Sequence, residues 1–262
     1  MLRALYTGAT GLKAQQTMTD VTANNIANVN TVGFKKDRAE FQDLIYQVLR
    51  VAGSQAGGAA VLPTGLEIGL GSRIAATKKD FTQGSYIETG RTLDLTIEGD
   101  GFFRFTLPDG TIGYSRDGAL TLDGEGNLVN NSGYILDPAI TFPADAISVT
   151  IQTDGTVWVQ LPGETELSQV GQITLSRFVN PAGLQAVGSN MFRETAASGA
   201  PTDGVPGEEG FGTTRQYFLE QSNVSMVDEL IQLIIAQRAF ETNSKTIQTS
   251  DEILGIAANL KR

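Results

Sequence analysis

All 8 prolines lie between Pro63 and Pro206. Glycine is divided in the same way. Of 30 glycines, only Gly8, Gly11, Gly33 and Gly255 fall within residues 1–36 and 225–262, which leaves 26 in between. Proline removes a backbone donor and glycine favours turns, so the punctuated middle reads as short strands and turns while both ends are free to be helical. Charge follows the same division. Residues 1–36 carry Arg3, Lys13, Lys35 and Lys36 against Asp20, a balance of +3, and residues 225–262 carry four bases and five acids. The total of −10 therefore leaves −12 on the middle. The expected fold is α+β and discontinuous. Two long terminal helices (1–33 plus 225–262) form a coiled-coil-like domain, 34–72 is an extended arm or linker, and 73–224 is a central all-β, turn-rich domain.

The first end supports a heptad reading. Leu5, Leu12, Thr19 and Ile26 are spaced by seven, beside Leu2, Ala9, Gln16 and Ala23. This is an a/d seam with small side chains. Gly8 and Gly11 each cost about 1 kcal/mol against Ala inside a helix. They mark either a poor helix or a close helix–helix approach. At the other end Ser225 precedes Asp228 by three, a capping-box-like start. Leu233, Phe240, Ile247 and Leu254 repeat every seven, with Leu230, Gln237, Ser244, Asp251 and Ala258 as a mostly polar companion set. Ile231, Ile234 and Ile235 add a second apolar face. A helix oily on two sides and wet on a third suits several neighbours. The two ends are expected to pair with each other, to be poorly ordered in the monomer, and to fold on assembly.

The middle alternates in strand fashion at Leu93, Leu95 and Ile97, and again at Ile147, Val149 and Ile151. Asp154-Gly155, before Val157 and Val159, is a strong hairpin signal. Gly99-Asp100-Gly101, Pro108-Asp109-Gly110 and Asn180-Pro181-Ala182-Gly183 read as further turns. Residues 51–72 are rich in Gly, Ala and Ser and read as a long arm or loop.

The chain has neither His nor Cys. That excludes a Ser-His or Cys-His pair, a disulfide and a Cys/His metal cage. The net charge of −10 argues against nucleic acid as a partner. The most apolar stretch, Leu230 to Ala236, is too short to insert in a membrane. The start, Met1 to Gly8, lacks the apolar core of a secretory signal. Gly69-Leu70-Gly71 and Gly124-Glu125-Gly126 fail the dinucleotide spacing at Ile74 and Val129. Asp123 to Asn127 opens like a calcium loop but fails at Leu128 and Tyr134, so it reads as a solvated turn. The carboxylate pairs Glu164/Glu166 and Asp94/Glu98 read as solvent-facing strand positions rather than catalytic acids. No cofactor, metal or catalysis is expected. Four asparagines, Asn24, Asn25, Asn28 and Asn30, precede Gly33-Phe34-Lys35 where the first helix should end. A helix C-terminus uses one Asn or Gly in the left-handed region. Four amides within seven residues suit a hydrogen-bonded lattice between chains.

These residues carry a family resemblance. Ala23-Asn24-Asn25-Ile26-Ala27-Asn28 with Asn30-Thr31-Val32-Gly33-Phe34-Lys35 resembles the N-terminal signature of bacterial flagellar rod and hook proteins. Leu95 to Phe103, Tyr114 to Gly118, Gly126 to Val129 and Phe178 to Leu184 resemble later motifs of that family in order. Ser222 to Ser225 and Gln237 to Glu241 resemble its C-terminal helix. The length, and Ala39 to Leu44 leading into a 51–71 arm with Leu62-Pro63-Thr64-Gly65-Leu66, resemble the rod branch. A distal position is favoured, with the proximal rod as the alternative. The resemblance implies a structural subunit that polymerises into a stiff, hollow helical tube. It places the terminal helices inside and the β body outside, with torque transmitted across the periplasm. It also implies export through the flagellar apparatus without a cleaved signal. The implied partners are further copies of the chain, other rod and hook or hook-junction proteins, the basal-body rings and the export apparatus. The expected assembly interface comprises Leu5, Leu12, Asn24, Asn25, Ile26, Asn28, Asn30, Gly33 and Phe34 near the first helix and Leu62 and Leu66 in the arm. The last helix adds Leu230, Leu233, Phe240, Ile247 and Leu254.

Overall fold

A computed structural model describes residues 2–53, 63–163, 166–208 and 210–259. The chain divides into two compact units, one made of Met1–Ala27, Asp37–Lys78 and Ser225–Arg262, the other of Asn28–Lys36 and Lys79–Val224. The fold is α+β, with long helices at both ends and a β-rich centre.

The first unit holds α1 (Leu2–Ala27) and α2 (Met226–Asn259). The α1 helix stops at Ala27, within the asparagine cluster, and Thr31 N donates to Asn28 O in the turn that follows. The α2 helix starts where Glu229 N donates to Ser225 O, and Asp228 and Glu229 place negative charge in its first turn, against the positive end of the helix dipole. Between the helices the chain builds β1 (Asp37–Asp43), β2 (Tyr46–Arg50), β3 (Leu66–Gly69) and β4 (Ser72–Lys79). Strand β1 pairs with β4, and β2 pairs antiparallel with β3 from Tyr46↔Gly69 to Arg50↔Leu66. Part of the expected arm is therefore a two-stranded ribbon. Residues 54–62, Leu62 among them, lie outside the described residues.

The second unit is the β body. Its largest sheet has β7 (Phe102–Thr106) near the centre, antiparallel to β8 (Ile112–Ser115) on one side. On the other side β7 meets β11 (Ile135–Leu136) and β15 (Leu175–Arg177). Next to β11 come β10 (Leu128–Asn130) and β9 (Leu120–Leu122), and next to β8 come β17 (Met191–Arg193) and β16 (Gln185–Gly188). Strand β18 (Thr202–Gly204) pairs with β15. A three-stranded sheet joins β12 (Ser148–Ile151), β13 (Thr156–Gln160) and β14 (Ser168–Gln172). Two further pairs are β6 (Leu95–Glu98) with β19 (Thr213–Gln216) and β5 (Tyr86–Glu88) with β20 (Phe218–Glu220).

Strand periodicity explains how β7 serves two cores. Phe103 and Phe105 enter the main cluster with Leu95, Leu120, Val157 and Leu175. Phe102, on the opposite face, joins Tyr114, Phe178 and Phe192. Burying each of these rings contributes about 1.5–3 kcal/mol. The Asp-Gly hairpin forms as expected: β12 and β13 meet at Ile151↔Val157, and Gly155 has φ +76°. Asp123 closes the β9–β10 turn by accepting from Glu125 N and Asn127 N, as a solvated turn should. One expectation fails. Asp94 is not on a solvent face: it is 1% exposed, and Leu95, Thr96 and Ile97 after it are also buried. Strand β6 is covered on both faces, so its alternation does not separate inside from outside. Glu98 is exposed, Glu166 is exposed, and Glu164 lies outside the described residues.

Candidate assembly interface

Helices α1 and α2 pack along small and polar side chains. The buried positions of α1 are Gly8, Ala14, Thr22 and Asn25, and those of α2 are Ala236 and Ser250. A Cβ on Gly8 would stand 2.8 Å from Ile247 Cγ1, and one on Gly11 would stand 2.8 Å from Asn243 Nδ2. Of the two readings of these glycines, close approach is therefore the one observed. Gly8 beside Ile247 and Asn25 beside Glu229 make the pair antiparallel. Ser250 Oγ donates to Thr246 O at 2.8 Å and Thr19 Oγ1 to Gln15 O at 2.9 Å, so these hydroxyls are satisfied within their own helices.

The large apolar side chains lie elsewhere. Val227, Leu230, Ile231, Ile234 and Ile235 recur at three- and four-residue intervals along α2 and are exposed, Ile234 to 51% and Ile235 to 53%. Ile253 and Ile256 continue the exposure toward the far end, and α1 adds Leu2 and Tyr6. At ~100° per residue, Val227, Ile231, Ile234 and Ile256 stand on the side of α2 opposite Ala236 and Ser250. Contiguous exposed apolar stripes of this kind are characteristic of contact surfaces.

The ribbon has the same character. Phe41, Ile45, Tyr46, Val48, Leu49 and Leu66 are exposed along β1, β2 and β3 and the turn between β1 and β2. An isolated two-stranded sheet is at best marginally stable. Its root is tied to α1 through Gly71, whose φ of +112° and close approach to Thr10 leave no room for a Cβ. Ser72 N donates to Thr10 Oγ1, and Leu44 N to Gly71 O at 2.8 Å.

The asparagine cluster has mixed surroundings. Asn25 is 2% exposed and its amide is used within the chain: Nδ2 donates to Asp37 O at 2.9 Å and to Glu229 Oε2 at 3.2 Å, while Oδ1 accepts from Asp37 N at 2.9 Å. Asn28 accepts from Thr31 Oγ1, and Asn24 and Asn30 are exposed. Gly33 is buried with φ +67°, and a Cβ there would meet Asp117 N at 2.7 Å. Phe34 is half-buried, with Lys79 Nζ 5.5 Å from its ring centre. Among the apolar residues expected at the interface, Leu5, Leu12, Ile26, Leu233, Ile247 and Leu254 are half-buried. Leu66, Leu230 and Phe240 are exposed.

A feature not singled out from the sequence lies just past Gly33. Lys35, fully buried, donates to Glu220 Oε1 at 2.6 Å and to Thr82 O at 2.8 Å. Arg116, also buried, stands 3.4 Å from Glu220 Oε2, donates to Gly99 O and stacks over Phe102. Burial lowers the pKa of both cations, and Glu220 opposes that shift in each. Beside this triad Gly33 N donates to Glu220 O and Lys36 N to Asn223 Oδ1, both at 2.8 Å. The triad thus holds the segment after α1 to the segment before α2. Its only sequence signal was that Lys35 and Arg116 each lie in a quoted motif.

Among the described residues there is no helix long and apolar enough to cross a membrane and no group of three or more acids that could hold a metal ion. What the helical unit offers is surface.

Three family models match the chain in order. "Flagella basal body rod protein" covers residues 5–35, "Flagellar hook protein FlgE/F/G D1 domain" covers 96–159, and "Flagellar basal body rod FlgEFG protein C-terminal" covers 215–260. The flagellar basal-body rod protein FlgG of Borreliella burgdorferi is 52% identical over the full length of both chains. The Bacillus subtilis protein of that name is 46% identical, again over the full length of both. The Caulobacter vibrioides one is 45% identical over 99% of this chain and 100% of its own. The flagellar hook protein FlgE of Helicobacter mustelae is 45% identical over 52% of this chain and 30% of its own.

Proposed function

The chain belongs to the bacterial flagellar basal-body rod and hook family and is a structural rod subunit, and from this premise we propose that its copies polymerise into the rigid, hollow tube of the distal rod, carrying motor torque across the periplasm to the hook. The observation that carries this reading is the inversion of the helix pair. Its internal seam uses Gly8, Gly11, Ala236 and Ser250, while Val227, Ile231 and Ile234 face away from it and Ile235 is exposed on its flank. Further copies of the same chain cover that stripe. The ribbon braces neighbours through Tyr46, Leu49 and Leu66. The end-to-end partners are the proximal rod and the hook or hook-junction proteins, and the surrounding rings meet the acidic β body. Export proceeds through the flagellar apparatus without a cleaved signal.

Electron microscopy and sedimentation of the purified chain test this. Straight tubes are expected above a threshold concentration. The double substitution Ile234→Asp with Ile235→Asp is expected to abolish them while leaving the β body folded by tryptophan fluorescence. Wild-type protein that stays monomeric at every concentration, or normal tubes from the double variant, would overturn it.

A further inference from the structure

Two cavities of opposite charge lie along α1, one beside α2 and the other beside the root of the ribbon. One, of about 330 Å³, lies between α1 and α2 and is lined by Gln16, Thr19, Asp20, Gln237, Phe240 and Glu241. Both of its charged residues are acids. The other, also about 330 Å³, lies between α1 and the root of the ribbon and is lined in part by Tyr6, Lys13, Leu44 and Arg73. Both of its charged residues are bases. Arg73 donates to Gln42, and among the described residues none of Lys13, Arg73, Asp20 and Glu241 has an ion-pair partner in the chain. Each cavity also carries an aromatic ring that is not covered, Phe240 in the acidic one and Tyr6 in the basic one.

We propose that the acidic cavity of one copy receives the basic flank of a second copy, pairing Asp20 and Glu241 with Lys13 and Arg73 across a side-by-side contact. The inference rests on the self-assembly reading above and adds to it the surfaces that meet. The occupant follows from charge. A two-fold contact through either cavity would set like charges against each other, which is strongly disfavoured. A contact that joins the acidic cavity of one copy to the basic cavity of the next satisfies both; made in one direction it is heterologous and leaves one surface of each kind for further copies. The cavities are also offset along the helix. The Lys13-to-Asp20 separation of seven residues corresponds to a rise of ~10 Å. Parallel neighbours joined in this way are displaced along their axes by about that rise, and repeated displacement produces a helical array rather than a flat ring.

Charge reversal in pairs tests the contact, read as the threshold concentration for sedimentable polymer, with circular dichroism confirming that each variant is folded. Lys13→Glu with Arg73→Glu, and separately Asp20→Lys with Glu241→Lys, should each raise the threshold about tenfold or more. The two doubles move the net charge of −10 in opposite directions, so a common effect cannot come from overall charge. Combining all four reversals in one chain exchanges the flanks and should bring the threshold back toward wild type. An equimolar mixture of the two doubles should co-sediment where neither sediments alone. If wild type assembles and both doubles assemble at its threshold, or if the fourfold exchange restores nothing, the flank pairing is wrong. If wild type itself forms no polymer, the assembly reading fails instead.

Discussion

The two units treat the same kinds of side chain in opposite ways. In the β body the large apolar residues are inside: Leu95, Phe103, Phe105, Leu136 and Leu175 are fully buried. Several of its cations are paired within the chain: Arg104 bridges Asp137 at 2.5 Å and Asp203 at 2.6 Å, and the buried Lys35 and Arg116 share Glu220. In the helical unit the fully buried positions of α1 and α2 are small or polar, Val227, Ile231 and Ile234 are exposed, and Lys13, Arg73, Asp20 and Glu241 lack an ion-pair partner among the described residues. The body meets its own needs within one chain. On the assembly reading proposed above, the helices leave theirs to be met by a neighbour. Stability and assembly should therefore be separable by mutation, and the following substitutions probe where that separation fails.

The largest effect is expected at Glu220→Ala. It strands Lys35 and Arg116 as uncompensated buried cations, and breaking such a cluster costs about 3–5 kcal/mol. Urea unfolding followed at Trp158, the chain's single tryptophan, should show this loss, with α1 and α2 helicity nearly unchanged by circular dichroism. Loss of helicity in parallel would mean the two units are not independent. Asn25→Ala comes next. It leaves the Asp37 backbone groups and Glu229 without their amide partner, at about 1–3 kcal/mol. Its effect should appear in the helical signal and not at Trp158.

Gly8→Leu forces a side chain against Ile247, and overpacking of this kind costs about 1–3 kcal/mol. The cost is partly offset by the better helix propensity of leucine, so the net change in a thermal melt should be smaller than at Asn25. The least effect is expected at Asp117. Burial raises its carboxyl above the ordinary 3.8, so the folded chain holds a proton there over a window opening near that pH, after the unfolded chain has lost it. Stability should fall as pH climbs through that window. Asp117→Asn is expected to flatten that slope in urea midpoints taken from pH 4 upward. An unchanged slope would place the titration elsewhere.

Much of this comparison was legible in the sequence. The segregation of Pro and Gly located α1 and α2, and the Asp154-Gly155 and Pro108-Asp109-Gly110 turns located hairpins, because these signals act on the local backbone. The seam was legible in part: Gly8 and Gly11 were open to the close-approach reading that is observed, and Leu5, Leu12 and Ile247 of the heptad sets are half-buried. The rest was not: heptad reading also placed Leu2, Ala9 and Gln16 at a contact, but in the folded chain all three are exposed, and Thr22 and Asn25 are buried instead. Periodicity identifies an apolar face, but not whether a helix of the same chain or of another covers it. The Lys35–Glu220 pair was hidden for a different reason. Its partners are 185 residues apart, and a buried lysine carries no local mark. Asp94 was misplaced because alternation fails in a strand covered on both faces.

The glycine seam also bears on geometry. Packed helices lie ~8–10 Å apart according to the side chains between them, and Gly8 and Gly11 hold this pair toward the slender end. In any closed ring or helical turn built from copies, the width of one copy divides the circumference. A seam without side chains therefore influences how many subunits fit around a bore of given radius. In the proposed tube, a bulky residue at position 8 or 11 would alter that count as well as the melting temperature, and two hydrogen atoms in place of side chains would help set its calibre.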